Sequence, residues 1–331
     1  MTETDTTGVG RASRPTVLLT GPTSGIGAAV LDRLLRHSGR PHLVLLARHA
    51  PGLDAAVARA RAAGLVAHGV RVDLSDLASV HSATARVRDL IERDHAALLD
   101  SLILNAGIQL TDRRQVSAQG HELTFAVNVL AQYALLRGLE PLLAPAAHVV
   151  LPGSSTHRGK RASFGLVPDP AWQAPQQLAT PDVGLVERPN VAGASWREPG
   201  GSAYATSKLS LVTLSHEWAA RLGSSGRRLN VYDPGLVAGT GLGRAMKRYE
   251  YWVWRRIMPA MSLLPGATTP ARTARHLVAL ALGENHATLH DAYVEIGRIR
   301  AAEPVTFDPA RRQALWDWCQ SASVLAHPAA G

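Results

Sequence analysis

Cysteine is nearly absent from this 331-residue chain, aromatic residues make up only 5% of it, and acids (26) are fewer than bases (35). A lone cysteine, Cys319, cannot close an internal disulfide and argues against a cysteine-based metal site, which fits a reducing compartment. Cys319 itself is expected half-buried on a helix. No apolar run approaches the ~18 uninterrupted residues of a membrane-spanning helix, and the opening MTETDTTGVGRASR has no apolar stretch of the kind a secretory signal needs. The formal charge of +9 comes from scattered arginines. The lysine-rich blocks of a nucleic-acid arm are missing, which favours anionic small molecules as partners. These absences read as a soluble, cytoplasmic protein with a frayed tail over residues 1–14, binding small molecules and neither nucleic acid nor metal.

What is present is alternation. The runs TVLLT, HLVLLA, VAHGVRVDL, LLDSLILNA and AHVVLP are strand-like, with helix-period segments between them. The pattern resumes with a helix from about 202, the strand RLNVYD, a helix near 270–282 and the strand DAYVEIG. Near-continuous apolar strands alternating with helices predict an α/β fold, a Rossmann-type doubly wound parallel sheet with helices on both faces. It reads as one domain over 15–300, followed by an extension over 301–331 in which Asp308 caps a helix and Pro309 takes its first position. Two stretches interrupt the alternation. Residues 158–200 are Pro-, Gly- and Gln-rich and too long for an ordinary connection, which predicts a lid or a mobile loop. Residues 241–265 include RAMKRYEYWVWRRIMP, whose Tyr249, Tyr251, Trp252 and Trp254 with Arg248, Arg255 and Arg256 suit a substrate lid first. Membrane contact through 244–256 ranks second, with ordinary helix packing close behind.

Directly after the first strand, TGPTSGIGAAV places Gly21, Gly25 and Gly27 at a strand-to-helix turn. Glycines there admit close approach of a ligand, and the helix N-terminus offers free N–H groups and a positive dipole end to a pyrophosphate. Ala28 stands where a P-loop would need glycine and lysine to follow. At the end of the second strand, where a carboxylate would bind the ribose hydroxyls of NAD, the sequence has Arg48 followed by His49. Arginine suits a 2′-phosphate, so the expected cofactor is NADP(H). Asp73, after the third strand, either accepts from an adenine amino group or caps the helix beginning near Asp76.

Taken in order and spacing, TGPTSGIG, VDLS, LNAG, AVNVL, GSS, YATSK and DPG resemble the short-chain dehydrogenase/reductase family over about residues 15–300. Within it the chain is most similar to the branch of retinol dehydrogenase-like and protochlorophyllide reductase-like enzymes. The resemblance implies a cofactor site made of Gly21, Thr23, Ser24, Gly25, Ile26, Gly27, Arg48, Asp73, Leu74, Asn105, Ala106, Gly107, Tyr204, Lys208, Pro234 and Gly235. It further implies a catalytic set of Ser154, Tyr204, Lys208 and Asn128, the last holding a water in the proton relay; Ser155 stands beside Ser154 as the alternative serine. The family's nicotinamide-contacting threonine is displaced: Gly239 occupies its place and Thr240 follows. Association through the helices bearing Asn128 and Tyr204/Lys208 is also implied, although the insertion ahead of Tyr204 could cover that face, so monomer and homodimer both stand.

The residues make chemical sense without the resemblance. A free tyrosine is a poor base at neutral pH. A lysine one helical turn away favours its phenolate. With Ser154 bonding the substrate oxygen, Tyr204 donating the proton and Lys208 tuning it, the expected reaction is reduction of a carbonyl, or oxidation of the alcohol, on a bulky and fairly hydrophobic substrate. Reduction of a carbon–carbon double bond, a non-redox cyclisation, dehydration or epimerisation, and NADP(H) sensing without turnover are the alternatives. His157 and His216 read as satisfied polar or surface residues, with His157 near enough to touch substrate.

Overall fold

In the computed structural model, which describes residues 14–93, 98–163, 165, 167–182, 198–237 and 267–324, the apolar runs become a sheet of eight strands. In chain order the first half comprises β1 (Thr16–Thr20), α1 (Gly25–Leu35), β2 (His42–Ala47), α2 (Ala50–Ala62), β3 (Ala67–Arg71), α3 (Leu77–Arg93) and β4 (Leu99–Ile103). Helices α4 (Leu123–Phe125) and α5 (Ala131–Leu139) follow, joined by a π-helical turn over Ala126–Leu130, and then β5 (Leu143–Pro152). The second half holds α6 (Pro175–Leu178), α7 (Glu198–Gly223), β6 (Arg228–Asp233), the two-residue strands β7 (Leu236–Val237) and β8 (Ala267–Thr268), α8 (Pro270–Ala281), β9 (Ala292–Glu295), β10 (Arg298–Arg300) and α9 (Pro309–Ala322).

The strand order is β10-β9-β6-β5-β4-β1-β2-β3, parallel throughout except for the antiparallel β10–β9 edge. Because β1 lies between β2 and β4, chain progression reverses there. In open α/β sheets the carboxyl ends of the strands at such a reversal flank a ligand crevice. The core is split by the sheet. One apolar cluster lies under α3, α5, α7 and α9, the other under α1, α2 and α8. Both faces are covered, which is why β1 is buried at every residue and its sequence shows no polar alternation.

The C-terminal segment is part of this core. Asp308 caps α9 by accepting from the N–H groups of Ala310 (2.9 Å) and Arg311 (3.4 Å), with Pro309 at the start. Cys319 on this helix is fully buried rather than half-buried, because α9 lays its face on α5 and α7. Trp316 meets Trp218 of α7 at 5.0 Å and Tyr133 of α5 at 5.2 Å between ring centroids. The described part of the Pro-rich insertion shares the work. Trp318 donates to Gln176 at 2.9 Å, Arg311 lies over the Trp172 ring, and Arg113 donates to the carbonyls of Gln177, Leu178 and Thr180. Residues 167–182 are thus tied down, the structured counterpart of a stretch whose composition suggested a loop. The helix expected from about 202 begins at Glu198. The proposed lid 241–265, Thr240 and the tail 1–13 lie outside the described residues. Among those described, no helix is long and apolar enough to cross a membrane.

Helix α9 packs on α5 and α7, the helices through which the resemblance implied association. Light scattering is expected to return the monomer mass of 35.2 kDa. Trp218→Ala, which removes the largest fully buried side chain, is expected to lower unfolding stability by about 3–5 kcal/mol in a denaturant titration.

Candidate active site

The carboxyl ends of β1, β4, β5 and β6 converge on a cavity of about 290 Å³ whose lining includes Ile26, Asn105, Gly107, Ser154, Tyr204, Lys208, Pro234 and Gly235. Residues scattered over more than 200 positions of sequence meet there because parallel strands place every outgoing turn on the same edge.

Tyr204 and Lys208 come from consecutive turns of α7, with the Lys208 ammonium 5.6 Å from the centre of the tyrosine ring. Lys208 is buried and donates to the Pro152 carbonyl at the end of β5 at 2.8 Å. Its other two N–H groups have no partner among the described residues. Burial pulls its pKa down to about 8, against the opposing pull of the Asp233 carboxylate. Tyr204 moves the other way. Burial pushes its pKa up to about 12, while a hydrogen bond with the Ser154 side chain draws it back.

Ser154 is the serine whose side chain bears on the ionisation of the tyrosine. Ser154 is extended (φ −163°, ψ 140°) at the head of a 3₁₀ turn over Ser155–Arg158. Its Oγ accepts from the Thr156 hydroxyl at 3.0 Å, so the Ser154 proton is free to point at Tyr204. Ser155 also lines the cavity, but the bond to Tyr204 is made by Ser154.

Asn128 stands behind the wall, in the π-helical turn. Such turns are often found at functional sites. Its amide donates to the Ile108 carbonyl (2.8 Å) and to Ser207 Oγ (3.0 Å), while its Oδ1 accepts from the Ile108 N–H (2.9 Å). Both amide hydrogens are thus committed to protein. Of the side chain, only spare capacity on Oδ1 is left for the relay water that the resemblance assigned to this residue. His157, read as a satisfied polar or surface residue, is a satisfied polar one, fully buried beneath the serine turn and absent from the cavity lining. His216 is satisfied by Asp291 (2.6 Å) and Thr306 (3.2 Å).

The other end of the site is built for an anion. A Cβ on Gly27 would collide with the Gly21 carbonyl and lie 2.8 Å from Asn105 Nδ2, so the first turn of α1 packs directly on β1's outgoing turn. Gly21 (φ 69°) and Gly25 (φ 55°) adopt the left-handed conformation that glycine tolerates. Thr23 and Ser24 are exposed on the turn. The neighbouring Asn-Ala-Gly turn is held by Asn105 donating to the Thr20 carbonyl (3.3 Å) and by the Ala106 N–H donating to Thr20 Oγ1 (2.9 Å). Gln132 of α5 adds a bond to the Ala106 carbonyl at 2.9 Å.

Arg48 is exposed just past β2. The structure adds a residue that sequence reading missed. Arg71 ends β3 beside Ala47, and its Nε donates to the Arg48 backbone carbonyl at 3.2 Å, while the Arg48 guanidinium lies 3.3 Å from His49 Nε2. Only the strand register could reveal that neighbour. Asp73 spends Oδ1 on the Ser75 N–H and hydroxyl, leaving Oδ2 with no partner among the described residues. The cap of α3 is Asp76, which accepts from the Ala78 N–H. Leu74 is half-buried against the core. Missed too were Asp233 and Tyr293. Tyr293 donates to Asp233 Oδ2 at 2.6 Å, and the Gly235 N–H donates to Oδ1 at 2.7 Å. The Asp233 pKa is raised by burial to about 6, against the pull of both bonds.

Known proteins are similar to this chain in sequence and fold. The family model described as short chain dehydrogenase matches residues 15–162. A protein of Streptomyces lividans named "Probable oxidoreductase" is 33% identical over 174 residues, 50% of this chain and 55% of that protein, so the chain spans little more than half of its length. The human 3-keto-steroid reductase/17-beta-hydroxysteroid dehydrogenase 7 is 27% identical over 283 residues, 76% of this chain and 73% of that protein. Among solved structures, a short chain dehydrogenase from Burkholderia cenocepacia J2315 in complex with NADP has a TM-score of 0.61 at 23% identity, covering 86% of this chain and 96% of that one. The matched segment carries the glycine turn, the Asn-Ala-Gly turn and the serine turn, and over it the chain is similar in sequence to short chain dehydrogenases, with a fold of the same kind.

Proposed function

We propose that this protein is an NADPH-dependent reductase of a ketone or aldehyde borne on a bulky, hydrophobic molecule. The observation that carries the reading is a buried Lys208 5.6 Å from the Tyr204 ring centre, with both residues and Ser154 on the wall of one cavity with the nucleotide-turn residues Ile26 and Asn105. A site with a held proton donor next to a dinucleotide turn is an arrangement for hydride chemistry, and mere sensing of a nucleotide needs no such donor.

The residues present fit NADP(H). The tight Gly21–Gly27 contact leaves the helix N-terminus open to a pyrophosphate. Arg48 and Arg71 together suit a 2′-phosphate through charge-assisted bonds, and the spare Oδ2 of Asp73 suits an adenine amino group. The two unbonded Lys208 N–H groups suit ribose hydroxyls, and Pro234 and Gly235 the nicotinamide side. When bound, the cofactor supplies the hydride for the carbonyl carbon.

The chain's own part is proton and charge. Tyr204, held protonated by burial, delivers its proton to the substrate oxygen. Ser154 turns its hydroxyl to the same oxygen as negative charge gathers there, a stabilisation of the kind preorganised donors supply. Lys208 then offsets the phenolate left behind. The raised Tyr204 pKa supports reduction as the direction at neutral pH, because a donor must hold its proton and a base must have lost it. Apolar side chains from Ile108, Val167, Leu236 and Val237 in the lining support a hydrophobic substrate. The keto-steroid reductase name of one relative points the same way.

Three outcomes are expected. By calorimetry, 2′,5′-ADP binds more tightly than 5′-AMP, and Arg48→Met and Arg71→Met each weaken 2′,5′-ADP by about tenfold while leaving 5′-AMP unchanged. Equal binding of the two probes by the wild type would reject NADP preference. With a panel of cyclic and aromatic ketones, Tyr204→Phe lowers NADPH oxidation by about 10²–10⁴-fold, and unchanged turnover would refute the donor. The kcat/KM for NADPH, which reports groups of the free enzyme, stays level at neutral pH and falls as pH rises through about 8, where Lys208 loses its charge. Tyr204, titrating near 12, keeps its proton throughout that range.

A further inference from the structure

His157 lies outside the cavity, yet it holds the residue on which the chemistry turns. The Ser154 carbonyl accepts two bonds from it, one from the His157 backbone N–H at 3.1 Å and one from the ring Nδ1 at 2.7 Å. A carbonyl cannot donate, so Nδ1 carries the ring proton. On the far side the Glu303 N–H approaches Nε2 at 3.3 Å, so Nε2 is bare and accepts. Only the neutral Nδ1–H tautomer makes both bonds. Burial pushes the ring's pKa down to about 4, with Arg158 acting in the same direction, and that tautomer is therefore retained at neutral pH.

The partners on each side are themselves anchored. Glu303 leads into the 3₁₀ turn Pro304–Phe307. There the Thr306 hydroxyl donates to the Glu303 carbonyl at 2.7 Å and also meets His216 Nε2 on α7. Beside the imidazole, at 4.6 Å between ring centroids, lies Tyr293, the tyrosine that donates to Asp233, whose carboxylate holds the Gly235 N–H. A buried polar seam thus runs behind the cavity, from the serine turn through His157 and Tyr293 to the Pro-Gly turn.

We infer that His157 is a positioning residue for the reductase reaction. By bonding the Ser154 carbonyl it fixes the orientation of that residue, so that the side-chain hydroxyl stays aimed at Tyr204, and by accepting from Glu303 it builds the C-terminal segment into the alignment of the site. The role in turnover rests on the proposed reductase activity; the backbone tie does not.

The two ring nitrogens can be separated by amides, since asparagine places its amide near the Nδ1 position and glutamine near Nε2. With a ketone from the panel that the wild type reduces, His157→Leu is expected to lose about tenfold in kcat with little change in KM. His157→Asn, which restores the bond to Ser154, recovers most of that loss, and His157→Gln, which restores only the bond to Glu303, does not. Affinity for NADPH stays level in all three. Equal kcat in the Asn and Gln variants, or a loss confined to KM, would overturn the assignment even if the Leu variant fails to fold. A second arm needs no substrate. Nitrogen NMR of ¹⁵N-histidine protein should show one ring, absent in His157→Asn, that stays in the neutral Nδ1–H form over about pH 5.5–8.5. An Nε2–H form, or titration near the ordinary histidine value, would refute the tie. A wild type that oxidises NADPH with no member of the panel rejects the reductase reading, and the NMR result then judges the tie by itself.

Discussion

Ser154 has a single hydroxyl proton to give, and its surroundings occupy its other hydrogen-bonding capacity. The carbonyl is taken twice by His157, Oγ accepts from Thr156, and the proton is left for Tyr204. Two residues upstream on the same chain, the Pro152 carbonyl anchors the Lys208 ammonium. The end of one strand therefore sets both the serine and the lysine around a tyrosine that comes from α7. The spacing of β5 against α7 determines whether the three groups meet, and that spacing is maintained by a core in which Trp218 and Leu211 of α7 are almost wholly buried.

The site has two ends of opposite character. At Tyr204 and Lys208 desolvation moves two groups in opposite directions, raising the phenol and lowering the ammonium. Around Arg48 and Arg71 the protein is open to solvent, where charge is inexpensive to maintain and serves to recognise an anion. The glycine turn lies between, with no side chain to separate helix from strand. Such a division suits a ligand with phosphates at one end and a reacting apolar ring at the other. The C-terminal segment serves the Tyr204 end twice. Helix α9 seals α5 and α7, and the turn before it reaches His157.

Much of this was legible in the chain. Gly21, Gly25 and Gly27 announced themselves by their place between a strand and a helix, Tyr204 and Lys208 by one helical turn of separation, Arg48 by standing where an acid would otherwise be, and Asp308 with Pro309 by helix-start chemistry. Each of these is a local signal, readable within a few residues. Arg71 was not legible, since it becomes a partner of Arg48 only through the register of β3 on β2. Nor was it legible that Asp73 leaves the helix cap to Asp76, which rests on where each carboxylate oxygen points. His157 could be read as a satisfied polar side chain but its partners could not, because nothing in GSSTH says that the ring folds back on its own turn toward a glutamate nearly 150 positions later.

The sequence by itself determined the doubly wound class, the glycine turn and the one-turn spacing of Tyr204 and Lys208. Apolar periodicity, missing side chains and i,i+4 spacing act through the covalent chain and its nearest turns, and need no distant partner to have meaning. Only the tertiary structure decided which serine faces the tyrosine, which carbonyl holds the lysine, and how the C-terminal segment closes over α5 and α7. Those are contacts between groups far apart in sequence, and hydrogen-bond direction and burial exist only once the strands have been set side by side.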